Sequence, residues 1–480
     1  MTAQQTLLLS AAYIAVMLVV SWLSKLKRET ASDFLVMNRE LGTFRGAFSI
    51  AASWIWAPAV FICAQKAYEQ GLPGIFWFTL PNILCFFAFI PLALRARDLL
   101  PQGYSMPDYL YARFNSKAVH LSSLLVYFGY QLGAIVINAL AGGALLNMLT
   151  GLSVPLCIGL MTGAAISYSL ISGLRASVIT DVVQMVLILF IAFLVVPWVL
   201  HEVGGLATLQ AGLGGKTGEF GNIFDLKVAY GFGIAATISL ISGPVADQMF
   251  FQRAFAAKRE ELPRIFALGG LAFGIVPIVL SLLGFVAAAP AMQETFNIQN
   301  TQMVGPEIVA HFLPTWALAG FVLLAFAGLS STLDSAFAAI SSLWVVDVYK
   351  RYIKPQADDQ KMLQVARLAM LVFALAGTGI TLLQPQLLWV FLIYGALASA
   401  MFIPACYALF SKRITATGLT VAILLSVLGS VPLSMFANTT GDVNLVVLSA
   451  LVSPVIGLLV CSVSALLNKT PKEFHAIERY

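Results

Sequence analysis

Residues 49–58 read Ser49-Ile50-Ala51-Ala52-Ser53-Trp54-Ile55-Trp56-Ala57-Pro58. The stretch sits inside an apolar run long enough to cross a bilayer, yet it carries small residues into a proline. Proline removes a backbone donor and disfavours helix at the residue before it. A spanning helix built this way is expected to unwind near its middle. A second stretch, Ser239-Leu240-Ile241-Ser242-Gly243-Pro244-Val245-Ala246-Asp247, does the same with a Gly-Pro pair. Gly and Pro are ordinary in membrane helices and often only kink them, so neither stretch decides anything alone. Their places decide, because each opens a block of five apolar segments, the spacing of an inverted repeat. Unwound helices of this kind expose carbonyls and half-helix ends near the bilayer midplane.

Composition agrees. Of 480 residues 60% are hydrophobic and 10% charged, with a mean hydropathy of +0.90. A soluble chain carries about a quarter charged residues, so a water-soluble enzyme is excluded, as are disordered, collagenous and disulfide-stapled chains. Cys63, Cys85, Cys157, Cys406 and Cys461 lie in apolar stretches without C-x-x-C spacing and read as buried thiols. A bilayer core about 30 Å thick needs about 20 apolar helical residues. Thirteen runs meet this: 5–24, 46–68, 74–95, 121–148, 152–173, 177–200, 229–250, 265–289, 315–346, 363–383, 387–410, 417–437 and 443–466. The first is too long for a cleaved signal peptide and reads as a retained helix.

With the N-terminus outside, 24 of the 27 Lys and Arg fall on the cytoplasmic side, from Lys25, Lys27 and Arg28 through to Lys469, Lys472 and Arg479; only Lys66, Lys216 and Lys227 fall outside. The net charge of +5 is therefore a topology signal and not a nucleic-acid footprint. The expected class is an all-α integral membrane protein of a cell (inner or plasma) membrane, with the C-terminus cytoplasmic. Its expected organisation is an extra N-terminal helix and loop (1–45), a first five-helix repeat (46–200), an external loop (201–228), a second repeat (229–410), and two C-terminal helices with a short tail (411–480). No connector is long enough to fold alone. Residues 212–217 brush against a phosphate-loop pattern, but Gln210 stands where the motif needs Gly and no strand precedes it.

In the ninth run, Gly328, Ser331, Thr332 and Ser335 follow i, i+3, i+4, i+7 spacing and share one helical face. Hydroxyls are hard oxygen ligands for a cation, and Asp334 beside them adds a carboxylate. An ionisable residue in a membrane core is a functional-site hypothesis by default. A small-residue packing seam with Asp334 protonated or paired fits the same spacing. Asp247 is expected to form a structural or gating ion pair with Arg253; Asp181 is left open to ion coordination. Lys66 is expected to snorkel to the outer interface, with contact to an anionic solute as the alternative. His120, His201, His311 and His475 are scattered, and no metalloprotease motif or nucleophile triad appears, so no enzyme is expected.

Ser32-Asp33-Phe34-Leu35 with Asn38-Arg39, Ser172-Gly173-Leu174-Arg175-Ala176 with Thr180-Asp181-Val182-Val183-Gln184, Asp247-Gln248 with Gln252-Arg253, and Ser331-Thr332 running into Asp347-Val348-Tyr349-Lys350-Arg351 together resemble the sodium:solute symporter family over about residues 1–470. The resemblance implies a leucine-transporter-type fold of thirteen helices and Na+ as the coupling ion. Carried over by motif, the ion's ligands would be the carbonyls of Ala52, Ile55 and Gly328 and the hydroxyls of Ser331 and Thr332. A second sodium position would use Asp181, Asp334 and Ser335. Asp334 departs from the hydroxyl usual there, and would either strengthen a second site or replace its ion with a proton. The tryptophan-rich first core helix resembles the urea-transporter branch.

The expected function is sodium-coupled symport of a small polar solute by alternating access, nitrogen-rich in the manner of urea. Expected wall residues are Trp54, Trp56, Trp77, Tyr127, Gln131, Asn138, Ser239, Ser242 and Tyr394, each equally suited to an interface or interhelical role. The alternatives are a symporter for an amino acid, sugar or carboxylate, and a transporter-like solute receptor. The expected partners are the solute, sodium and lipid, with no nucleic acid and no obligate protein partner.

Overall fold

The computed structural model describes residues 2–27, 29–295, 298 and 300–477. Arg28 and Arg479, counted above among the cytoplasmic cations, lie outside the described residues. The described chain is helical throughout, with one isolated bridge between Leu41 and Ala257.

The helices are α1 (Ala3–Ser24), α2 (Ala31–Val36), α3 (Thr43–Trp54), α4 (Cys63–Leu99), α5 (Met106–Phe114), α6 (Lys117–Thr150), α7 (Val154–Glu202), α8 (Leu206–Ala211), α9 (Leu226–Val228) and α10 (Ile234–Ala246). They continue as α11 (Gln248–Ala256), α12 (Leu262–Ala288), α13 (Pro290–Thr295), α14 (Val304–Phe312), α15 (Thr315–Ser342), α16 (Asp359–Thr381), α17 (Leu387–Phe410), α18 (Ala416–Thr440) and α19 (Val443–Leu467). Among the described residues 11 continuous helical stretches are long and apolar enough to span a bilayer, where the sequence suggested thirteen separate runs.

The difference lies in two helices that fold back on themselves. At 49 residues α7 would be about 74 Å long if straight, more than twice the hydrocarbon core. It leaves helical geometry at Ser172 and at Gly173, which has φ 51°. The reversal brings the Gln184 amide within 3.4 Å of the Tyr168 hydroxyl, 16 residues earlier. Gly71 in α4, with φ 56°, does the same and sets Gly74 beside the Lys66 carbonyl. Both turns need a left-handed residue that only Gly adopts cheaply.

Both expected breaks are present, slightly displaced. α3 ends at Trp54, Ile55 and Trp56 are unwound, and helix resumes in wide turns from Pro58. In the second repeat the helix runs through Pro244 and stops only at Asp247. Pro244 loosens the turn before it, but the interruption settles where a new helix can be capped: the Asp247 carboxylate accepts from the Met249 N–H at 2.8 Å.

α12 packs along α4 closely enough that a Cβ on Gly284 would meet the Ala64 carbonyl oxygen at 2.1 Å. Between them Phe86, Phe89, Phe250 and Phe266 form an aromatic core. The peripheral helices instead present exposed apolar side chains, such as Trp22 and Leu23 on α1, Leu375 on α16 and Leu466 on α19, the surface a lipid-facing helix requires. Several of the cations assigned to one side are tied into the loops and helix ends that carry them. Arg39 donates to the Gly103 and Phe255 carbonyls, Arg351 pairs with Asp108, and Arg95 and Arg113 flank the Phe474 ring. Beside them, burial pushes the Glu29 carboxyl above its usual range, although Ser172 donates to it and Arg367 lies 3.1 Å away.

Candidate ion and substrate site

The break in α3 faces the polar stripe of α15. Gly328 is pressed so closely on the Ile55 carbonyl that a Cβ there would sit 2.9 Å from its oxygen. One turn on, the Thr332 hydroxyl donates to the carbonyls of Ser53 at 3.1 Å and Gly328 at 3.3 Å. The Ala52 carbonyl, at the last turn of α3, accepts from the Ile55 N–H at 3.0 Å. Ser331 donates to Asp181 at 2.5 Å, which leaves its oxygen lone pairs available to the junction. All five expected residues, Ala52, Ile55, Gly328, Ser331 and Thr332, are buried; Ile55 meets Gly328 and Thr332 meets the Ser53 carbonyl at the junction, while the Ala52 carbonyl is engaged by the Ile55 N–H and Ser331 turns to Asp181. The donors of this set are neutral oxygens, the chemistry of a hard monovalent ion, and the nearest full negative charge, Asp181, stands one hydroxyl behind them.

The second set is arranged differently from the expectation. Asp181, Asp334 and Ser335 do meet, but Arg253 enters among them. Its guanidinium donates to Asp181 at 2.8 Å and Ser335 at 2.8 Å through Nη2, to Ser49 at 2.8 Å through Nε, and to the Met249 carbonyl at 3.2 Å. The Arg253–Asp181 pair is fully buried. Asp334 is left with hydroxyls alone: Ser177 at 2.7 Å, Thr180 at 3.3 Å and Ser335 at 3.4 Å. The expected Asp247–Arg253 pair is therefore corrected. Six residues along α11 turns Arg253 about 240° from Asp247, toward α7 and α15, and Asp181 takes it. Lys66 is corrected too. It is buried, bonded to Glu69 at 3.2 Å and seated over the Phe232 ring at 4.9 Å, so its ammonium is held between the two broken helices and not extended into solvent.

The expected wall residues divide into three kinds. Some hold the breaks: Asn138 on α6 accepts the freed Ala57 N–H at 2.9 Å, and Tyr127 donates to the Val245 carbonyl at 2.5 Å. Others pack between the breaks. Trp54 lies against Trp56 at 5.4 Å with the rings tilted by 37°, Trp56 meets Phe391 at 6.0 Å, and Tyr130 meets Tyr394 at 5.4 Å. Gly243 permits this packing, since a Cβ there would strike the Trp54 ring at 2.8 Å and the Tyr130 hydroxyl at 3.0 Å. Ser239 backs onto Gly395, Ser242 is buried on the same helix, and Gln131 donates to Asp247 at 2.7 Å. Trp77 belongs to neither kind: it lies over Gly233 with its ring edge to Phe76. Sequence reasoning missed Asn82, which accepts from the Trp54 indole at 2.9 Å, and Tyr130 and Phe391. A lone amide in an apolar run was the available signal for Asn82; the two aromatics carry none.

A helical membrane protein with two discontinuous helices crossing around a buried set of cation donors is a secondary transporter in architecture. The comparisons agree. The sequence profile of the sodium:solute symporter family matches residues 34–426, and the chain belongs to that family. It is a multi-pass transporter and not an enzyme. It is 25% identical over 466 residues to probable urea active transporter 1 of Schizosaccharomyces pombe, covering 88% of this chain and 68% of that one. To the urea-proton symporter DUR3 of Oryza sativa subsp. japonica it is 24% identical over 433 residues, covering 83% and 60%. The chain thus spans roughly two thirds of the length of these relatives. A solved Na+-coupled sialic acid symporter, in a substrate-bound outward-open state, superposes with a TM-score of 0.82 at 19% identity, covering 98% of this chain and 99% of that one.

Proposed function

We propose that this protein is a sodium-coupled symporter that imports a small, nitrogen-rich polar solute of the urea type by alternating access. The observation that carries it is the junction of α3 and α15, where the Ile55 carbonyl, Gly328, Ser331 and Thr332 converge in a buried set of neutral oxygens. Ala52, Ile55, Gly328, Ser331 and Thr332 would hold the ion. Sodium there bridges the unwound segment to the rigid α15 and orders it, which closes the outer side over the solute. Residues 46–200 and 229–410 act as the two repeats, with the N-terminus outside and the C-terminus cytoplasmic.

One charge moving through the full membrane potential supplies about 2.3 kcal/mol per 100 mV, nearly two decades of accumulation at about 1.4 kcal/mol per decade. The urea assignment is supported by the urea-transporting relatives and by the Trp54–Trp56 wall, on which a small planar solute can stack. A second reading, a proton in place of sodium, is favoured by the rice relative's name and by Asp334 standing among hydroxyls alone.

Counterflow of radiolabelled urea in proteoliposomes tests the proposal. Exchange in sodium and its absence in potassium is the expected result. Exchange indifferent to sodium but accelerated by an inward proton gradient favours the second reading, and binding without counterflow favours a receptor.

A further inference from the structure

Three buried side chains between the broken helices each keep one polar atom without a partner. Asp247 uses Oδ1 to accept from Gln131 and from the Met249 N–H, while Oδ2 has none. Gln131 donates through Nε2, and its Oε1 has none. The Tyr394 hydroxyl, which occupies the space a Cβ on Gly133 would fill, also has none. Asp247 and Gln131 are fully buried and Tyr394 is 7% exposed. A buried polar atom left unpaired costs about 1–3 kcal/mol, so three on adjoining elements are kept for something that pairs with them.

Their chemistry says what. The carboxylate oxygen and the amide oxygen only accept, so the group that completes them must bring at least two N–H or O–H donors on one side. The tyrosine hydroxyl can donate to an acceptor on the same solute. Among the described residues no arginine or lysine is hydrogen-bonded to Asp247, so the site offers a carboxylate no cation to pair with. Aromatic rings neighbour these atoms: Tyr130 lies against Tyr394, and Trp54, Trp56 and Phe391 offer faces on which a small planar solute can pack.

We infer that Asp247, positioned by Gln131, is a substrate-binding residue that selects compact solutes with several N–H donors, neutral or cationic, against carboxylates and sugars. The inference rests on the symporter reading for the place of the site, and it replaces the gating ion pair expected for Asp247. Asp247→Asn is a close test, because the asparagine oxygen keeps the cap on Met249 and the bond from Gln131 while the second oxygen becomes an amide donor and the carboxylate is lost.

Isothermal titration of the purified full chain in saturating sodium, with urea, guanidinium and acetate, decides it. The wild type is expected to bind urea and guanidinium and not acetate. Asp247→Asn is expected to weaken both at least tenfold while keeping the sodium-induced rise in melting temperature that reports a folded ion site. Should that variant fail to fold, Tyr394→Phe serves: it is expected to weaken urea, which offers a carbonyl, and to leave guanidinium within twofold. Wild-type urea affinity in Asp247→Asn, no loss of urea affinity in Tyr394→Phe, or a wild type that binds acetate and not urea overturns the inference. Asp247-dependent urea binding without sodium-driven uptake overturns symport and leaves this inference standing.

Discussion

Gly328→Ala adds one methyl group at the place where the two halves of the proposed ion site touch. The new carbon would lie 2.9 Å from the Ile55 carbonyl oxygen and 3.1 Å from Ile55 Cγ2. Ordinary contact begins near 3.4 Å, so the carbonyl must retreat by several tenths of an ångström. The helix itself prefers alanine to glycine by up to about 1 kcal/mol, so global stability is expected to change by less than the usual 1–3 kcal/mol of overpacking. The proposed ion would see a different change, because the carbonyl of the unwound Ile55 is pushed away from it. A charge-assisted contact is worth about 1.5–3 kcal/mol, which corresponds to a loss of sodium affinity of roughly 10- to 150-fold. The assay is uptake against sodium concentration in proteoliposomes, with a melting curve of the same preparation. A right-shifted sodium dependence with near-normal melting is expected. Unchanged half-saturation by sodium would refute the reasoning that the Ile55 carbonyl faces the ion across Gly328.

Three further outcomes are expected. Arg253→Gln strands the fully buried Asp181 carboxylate, and removing one partner of such a pair costs about 3–5 kcal/mol; melting indistinguishable from wild type would show that Arg253 is not the resident cation there. Asn138→Ala leaves the Ala57 N–H buried and unpaired, for a loss of about 1–3 kcal/mol that thermal unfolding should show, whereas Asn138→Asp should retain the acceptor and most of the stability. Glu29 has a carboxyl raised by burial in the folded state, so the native state takes up its proton more readily than the unfolded chain. Its contribution is full below the ordinary carboxylate range and is lost as pH rises through the raised value, so the melting temperature of Glu29→Gln relative to wild type should rise with pH between 4 and 7; a difference that falls with pH would contradict the assignment.

Much of the fold was legible because its signals are local. Pro58 and the Gly243-Pro244 pair mark breaks through backbone chemistry alone, and the spacing of Gly328, Ser331, Thr332 and Ser335 places them on one face. What could not be read depends on contacts far apart in the chain. Arg253 binds Asp181, 72 residues upstream, whereas sequence proximity pointed to Asp247. The second interruption falls at Asp247 because a cap is available there, not at the proline that loosens the helix. Lys66 was misjudged although Glu69, one turn on, was in view: an acidic neighbour at i+3 and an aromatic ring from the other broken helix satisfy the ammonium without water. The fold-back turns at Gly71 and Gly173 were read as connectors, which they are, but too short to interrupt the helical hydrogen bonding by more than a residue or two.

The central claim is that an ion at the α3–α15 junction drives the solute. If so, sodium and urea must raise each other's affinity by the same factor. The most direct measurement is the half-saturating urea concentration at low and high sodium, and the half-saturating sodium concentration at low and high urea, in the wild type and in a Ser331→Ala, Thr332→Ala double variant. Equal, reciprocal coupling in the wild type that vanishes in the double variant is the predicted result. Urea affinity that ignores sodium in the wild type, or coupling that survives intact in the double variant, would contradict it.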